Sequence, residues 1–151
     1  MRFRKILLAF DISDGSIRAA EYAIHISELE KAYLVFVHVI DDIKQGGVIG
    51  LRARYGDIDL VDAYLKVRKD KAKEFIQPLQ KKANDKGIES HIELLEENEN
   101  SKIGIITKYI EENNIDLVVV GSRGLSKFQQ LLGSFASELT RNSKCPVMVT
   151  R

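Results

Sequence analysis

Ile115-Asp-Leu-Val-Val-Val-Gly-Ser-Arg-Gly124 combines the strongest strand signal in the chain with a glycine turn at its carboxyl end. A β-branched run without alternation suits a strand covered on both faces, and such strands belong to parallel sheets. Gly121 and Gly124 let the backbone take φ > 0 and come close to a bulky group. Beyond them, the segment Leu125 to Leu132 leads to Gly133-Ser134, a helix from about Ser134 to Asn142, and a short last strand, Pro146-Val-Met-Val-Thr150. Ahead of the stretch, Ser101 caps a helix carrying Ile103, Ile106, Tyr109 and Ile110, which Asn113-Asn114 closes.

The amino-terminal half repeats the alternation. Ile6 to Phe10 is an apolar run that stops at Asp11; Ser13-Asp14-Gly15-Ser16 offers caps, and Ile17, Ala20, Ala23, Ile24 and Ser27 follow at helical spacing. Tyr33 to Ile40 reads as a second buried strand ended by Asp41 and Asp42. From Lys44 to Asp59 four glycines among polar residues read as a long mobile loop. Leu60, Ala63, Tyr64, Val67, Lys71, Phe75, Leu79 and Ala83 keep one face of a long helix, with Pro78 expected to kink it and Gly87 placed as a C-cap. Ser90 to Leu95 makes a weaker strand, followed by a solvated acidic turn, Glu96 to Asn100.

Strands alternating with helices predict an α/β, three-layer, doubly wound sheet of five parallel strands with right-handed crossovers. Ligands of such sheets sit beyond the carboxyl ends of the strands, where strand order reverses. That rule selects the strand ends at Asp11, near Val39 and at Gly121 before any motif is consulted.

At 151 residues the chain has room for one domain, spanning 1–151, able to bury roughly 70% of its unfolded surface. Composition is 44% hydrophobic and 30% charged, which is globular. The net charge of +1 is spread evenly over both halves, so no nucleic-acid partner held by phosphate contacts is expected. No apolar segment reaches the ~20 residues of a membrane span, and the run Ile6 to Phe10 is too short for a signal-peptide core. The single Cys145 allows no internal disulfide. A cytoplasmic protein without membrane contact is the expectation.

The glycine turn and Gly133-Ser134 read in two ways. The N–H groups of Gly133, Ser134 and Phe135 would lie at a helix N-terminus, where dipole and unpaired donors favour phosphate. The alternative is a plain glycine turn with Ser134 as a cap. GxxxxGK[ST] is absent, and the turn after the first strand holds a lone glycine, so neither a P-loop nor a dinucleotide fingerprint is present.

Taken together these residues resemble the universal stress protein family over nearly the whole chain: Lys5-Ile-Leu-Leu-Ala-Phe-Asp11, Arg18-Ala-Ala-Glu-Tyr-Ala23, Val37-His-Val-Ile-Asp41, Asp116 to Gly124, Leu132-Gly-Ser134 and Cys145-Pro-Val-Met-Val149. The resemblance implies a Rossmann-like fold of the adenine nucleotide alpha hydrolase type and a homodimer formed through the last strand. It implies ATP, or another adenine nucleotide, with a divalent metal, Mg or Mn, on the phosphate oxygens. Carried over, Asp11 and the Val39 backbone would meet adenine, with Phe10 beside them. Ala9 and Gly121 would line the ribose, and Gly124, Gly133, Ser134 and Phe135 would hold the phosphates. The chain departs from the ATP-binding pattern G-x2-G-x9-G-[S/T] in having eight residues between Gly124 and Gly133, and it reads Ala9-Phe10-Asp11 where relatives often have Pro-x-Asp.

Other candidates carry a plainer reading. His25 and His38 fall on a helix and in a strand, His91 has no ligand residues near it in sequence, and Cys145 before Pro146 reads as small apolar packing. No metal-ligand spacing is present. Asp11 is also placed to cap the first helix, and Arg123 and Lys127 either meet phosphate or point to water. No nucleophile and base can be paired, so a stress-response sensor or regulator is expected rather than a dedicated enzyme. A second reading is a nucleotide-free dimeric interaction module, acting through its dimer surface and the Lys44 to Asp59 loop.

Overall fold

The computed structural model describes residues 2–43, 47–97, 100–122 and 133–151. The strands are β1 (Lys5–Ala9), β2 (Tyr33–Ile40), β3 (Ser90–Glu96), β4 (Leu117–Gly121) and β5 (Val147–Thr150). They form one sheet of order β3-β2-β1-β4-β5 in which every pair is parallel. Helices α1 (Asp14–Glu30), α2 (Gly47–Arg54), α3 (Ile58–Asp85), α4 (Lys102–Glu112) and α5 (Ser134–Asn142) alternate with the strands. Strand order reverses at β1, whose neighbours are β2 and β4, so the crevice lies at the carboxyl end of β1.

Alternation of side chains along each strand divides the core in two. Ile6, Leu8, Leu34 and Phe36 pack against Ala19, Ala20, Ala23, Ile24 and Ile76, from α1 and α3. Leu7, Ala9, Val35, Val37, Val39, Val118 and Val120 pack against Ile103, Ile106, Ile110, Ala136 and Leu139, from α4 and α5. Both faces are therefore covered, which is why the strands read as unbroken apolar runs.

Helix ends follow their capping chemistry. Ser13 accepts from the Ser16 N–H while the Ser16 hydroxyl accepts from the Ser13 N–H, a reciprocal box at the start of α1. At the end of α3, the Gly87 N–H donates to the Asn84 carbonyl and the Ile88 N–H to the Ala83 carbonyl. Gly87 supplies the left-handed residue of this Schellman turn, with φ +76. The helical run continues through exposed Pro78 to Asp85.

Two expectations need correction. The Lys44 to Asp59 segment contains α2, and α3 already begins at Ile58. Gly47 at φ +54 opens the short helix and Gly56 at φ +85 closes the turn after it, so two of the glycines punctuate a helix rather than prevent one. Arg52 then bonds Asp57, the residue that caps α3. The buried face of α3 is also partly rotated from the expected one: Ala83 is buried and Leu79 packs on the core as expected, but Ala72 and Ile76 are buried while Val67 is 65% and Phe75 44% exposed. Ala72, Ile76 and Ala83 recur at spacings of four and seven on one face of the helix, which turns Phe75 and Lys71 away from the core.

Candidate functional site

A cleft of about 680 Å³ opens at the carboxyl ends of β1 and β2, within the size range typical of small-molecule sites. Its floor is Ala9, Phe10, Asp11 and Ile12 from the β1 end with Val37, His38 and Val39 of β2. One wall is Ser134, Phe135 and Glu138 of α5; the other is Arg68, Lys71 and Phe75 of α3 with Asp41 and the start of α4, Ser101 to Ile103.

The β1–α1 turn is held by a chain of polar contacts. Asp11 Oδ1 accepts from both the N–H and the hydroxyl of Ser13, which in turn caps α1. Ser13 is thus the cap and Asp11 orients it, while Asp11 also lines the cleft. Ile12 sits at φ 63, a left-handed conformation costly for a β-branched residue, and is fixed between the two. Phe10 is buried with the α1–α3 side of the core, so its bulk does not fill the cleft. Its carbonyl accepts from His38 Nδ1 at 2.7 Å. Burial holds the His38 pKa below its ordinary value, against the Phe10 hydrogen bond and Asp41, which raise it. The ring is therefore neutral at pH 7, with its proton on Nδ1.

At the α5 end, Gly133 is the N-cap and Ser134 the first helical residue, and no side chain caps the helix. The reading of Ser134 as a cap is thereby replaced. The Gly133 N–H is already given to the Ser122 carbonyl at 2.8 Å, which leaves the first-turn donors of Ser134 and Phe135 as those beside the cleft. Gly121 answers a packing need: a Cβ there would lie 2.8 Å from the Gly15 backbone carbon and 2.9 Å from its oxygen. Gly124, Arg123 and Lys127 lie outside the described residues.

The structure thus brings Ala9, Phe10, Asp11, Val39, Ser134 and Phe135 to one cleft, with Gly121 and Gly133 at the adjoining backbone. Sequence reasoning missed its α3 wall. Arg68, Lys71 and Phe75 recur at i, i+3 and i+7, a shared helical face that the core assignment of α3 concealed. Asp41 there pairs with Arg68 Nη2 at 3.2 Å and with Lys102 Nζ. Among the described residues no cluster of three His, Cys, Asp or Glu could hold a metal ion, and no helix is long and apolar enough to cross a membrane. His91 lies instead with Tyr33, Tyr109 and Glu93.

Comparison with known proteins follows the same lines. The sequence profile of the universal stress protein family matches residues 2–151. The chain belongs to the universal stress protein family. A family member from Methanocaldococcus jannaschii is 31% identical over 99% of this chain and 82% of its own. Among solved structures, the universal stress protein UspA from Lactobacillus plantarum superposes with a TM-score of 0.83 at 23% identity, covering 100% of this chain and 99% of that one. The universal stress protein from Archaeoglobus fulgidus in complex with dAMP gives 0.67 at 22% identity, covering both chains completely. The five-stranded parallel sheet with helices on both faces is therefore the fold of the family.

Proposed function

We propose that this chain binds an adenine nucleotide, ATP foremost, in the cleft at the end of β1, and that it acts in the cytoplasm as a homodimeric stress-response regulator. The observation that carries this reading is the convergence of Ala9, Phe10, Asp11, Val39, Ser134 and Phe135 on one cleft at the point of strand reversal. The cleft suits the ligand chemically. Val37, Val39, Ile103 and Ile106 give an apolar middle for a base, and the uncapped start of α5 gives donors and a dipole for phosphate. The dAMP carried by the Archaeoglobus relative supports the same ligand class.

In this arrangement Asp11 and the Val39 backbone face adenine, and Ala9 lies against the ribose near Gly121. Ser134 and Phe135 hold the phosphates, with Gly133 beside them at the start of α5. Mg or Mn would ride on the phosphate oxygens, with Glu138 the carboxylate on the α5 wall. The chain's residues bind and orient; no nucleophile–base pair is named among the described residues of the cleft, and regulation through occupancy is favoured over dedicated catalysis. Pairing of the β5 edge across a two-fold axis would form the dimer.

The reading is tested by denaturing freshly purified protein and identifying the released small molecules by mass spectrometry. Adenine nucleotide released in an amount comparable to the chain is expected. Release of none, with no rise in melting temperature under millimolar Mg-ATP, would reject nucleotide binding and favour the interaction module.

A further inference from the structure

β3 is an edge strand, and on its α4 side it carries polar residues where its neighbour β2 carries valines. His91 stands beside Val35 and Glu93 beside Val37, and both valines belong to the core layer that α4 and α5 cover. Alternation along the strand therefore sends the His91 and Glu93 side chains to that same face. Tyr109 of α4 meets them there, its hydroxyl 3.3 Å from His91 Nε2. Glu93 Oε2 lies 3.6 Å from the same nitrogen. On the other side of the ring, the Tyr33 hydroxyl lies 2.9 Å from Nδ1. None of these four residues lines the nucleotide cleft. The sequence reading that left His91 without ligand residues overlooked Glu93, two positions on and so on the same face of the strand.

The separations are those of a metal site. Two donors each about 2.1 Å from one ion at a tetrahedral angle stand about 3.4 Å apart. The two separations at His91 Nε2 are 3.3 and 3.6 Å. The far side of the ring supplies the support that a ligating histidine uses: with the ring proton on Nδ1, Tyr33 accepts it, and the Nε2 lone pair is left to face Tyr109 and Glu93. Among the described residues no lysine or arginine pairs with Glu93, so its charge is available to a cation. The His91 and Glu93 side chains are 36% and 37% exposed, which gives an ion a way in and leaves room for water as a further ligand. His91 and Glu93 fall short of three His, Cys, Asp or Glu donors, and the phenol oxygen of Tyr109 makes up the third. An imidazole donor favours zinc and its transition-metal neighbours, whereas magnesium and calcium take oxygen ligands.

We propose that His91, Glu93 and Tyr109 bind a divalent first-row transition ion, zinc foremost, with water in the fourth position and Tyr33 orienting the histidine. The ion ties the edge strand β3 to α4. The site stands apart from the nucleotide reading, and neither depends on the other.

Chelator-treated protein, free of nucleotide, is titrated with Zn²⁺ by calorimetry. Saturation at one ion per chain is expected, undisturbed by excess Mg²⁺ and at least about tenfold weaker in His91→Gln and in Glu93→Gln. Tyr33→Phe keeps all three donors and should weaken binding by about tenfold to a hundredfold. The visible spectrum of Co²⁺ in the site should keep its shape in that variant and disappear in His91→Gln. In the wild type, Zn²⁺ should shift the NMR ring signals of His91 and leave those of His25 and His38 in place. No saturable binding up to millimolar Zn²⁺, unchanged affinity in His91→Gln, or a shift at another histidine instead would overturn the site. The wild-type histidine signals decide the matter should a variant fold poorly.

Discussion

His38 Nδ1 lies 2.7 Å from the carbonyl oxygen of Phe10, so a residue near the carboxyl end of β2 on the cleft floor is tied to the residue that follows β1. The bond satisfies a carbonyl left over where the β1–β2 ladder runs out, and it fixes the ring in the tautomer with its proton on Nδ1. Desolvation is the largest cause that keeps this histidine neutral, and the Lys102 and Arg68 charges act in the same direction.

A pH dependence follows from that burial. The folded-state pKa of His38 is below the unfolded value of 6.5, so below that pH the unfolded chain binds the proton more readily than the folded one. Stability contributed here is fully present above about pH 6.5 and is lost as pH falls towards the folded pKa. Urea denaturation at pH 7.5 and pH 5.5 should show a loss for the wild type that His38→Asn does not share. Equal losses in both proteins would mean that other groups carry the acid sensitivity.

Asp11 and Ser13 separate structural from binding roles. Ser13→Ala removes the N-cap and should cost about 1 kcal/mol of stability, with nucleotide affinity retained. Asp11→Ala removes the acceptor that orients Ser13 and the carboxylate in the cleft together. It should lower both stability and nucleotide affinity. Unchanged affinity in Asp11→Ala, by titration, would confine this aspartate to the turn.

Gly121→Ala tests why a glycine ends β4. The new Cβ would meet the backbone of Gly15 at 2.8 Å, and backbone cannot rotate away as a side chain can. A destabilisation of about 1–3 kcal/mol is expected from this overpacking, read as a lower urea midpoint. A midpoint within error of the wild type would show that α1 shifts without cost.

The β5 edge, proposed above as the dimer interface, can be blocked without disturbing the sheet. Val118 and Ser122 donate to the carbonyls of Pro146 and Thr150, so the alternate residues Val147 and Val149 direct their backbone groups to the open edge of β5. Proline is tolerated at such an edge position and removes the outward donor. Val149→Pro should give a monomer in analytical ultracentrifugation where the wild type is a dimer. A dimeric variant would place the interface elsewhere.

The fold was legible because both faces of the sheet are covered, so runs such as Leu117 to Val120 stand out without alternation, and Ser13, Ser101 and Gly87 mark helix ends by local chemistry. Where local rules failed, tertiary packing had decided. α2 was hidden because glycines that open and close a helix look like glycines in a loop. The face of α3 was misassigned because Ala72 and Ile76 bury well against the sheet while the larger Phe75 does not. The same rotation hid Arg68 and Lys71 from the site. The place of Asp11 and Val39 in the cleft was legible because strand ends in such a sheet point to one crevice, and that of Ser134 because a glycine precedes a helix start, whereas the His38 bond to a main-chain carbonyl leaves no sequence pattern.

The central claim is that the cleft at the end of β1 is a nucleotide site. Isothermal titration of nucleotide-stripped protein with ATP and Mg²⁺ tests it most directly. Saturation at one ATP per chain, weakened at least tenfold by Asp11→Ala, is the result expected. Absence of saturable heat up to millimolar ATP, in protein that circular dichroism shows to be folded, would contradict it.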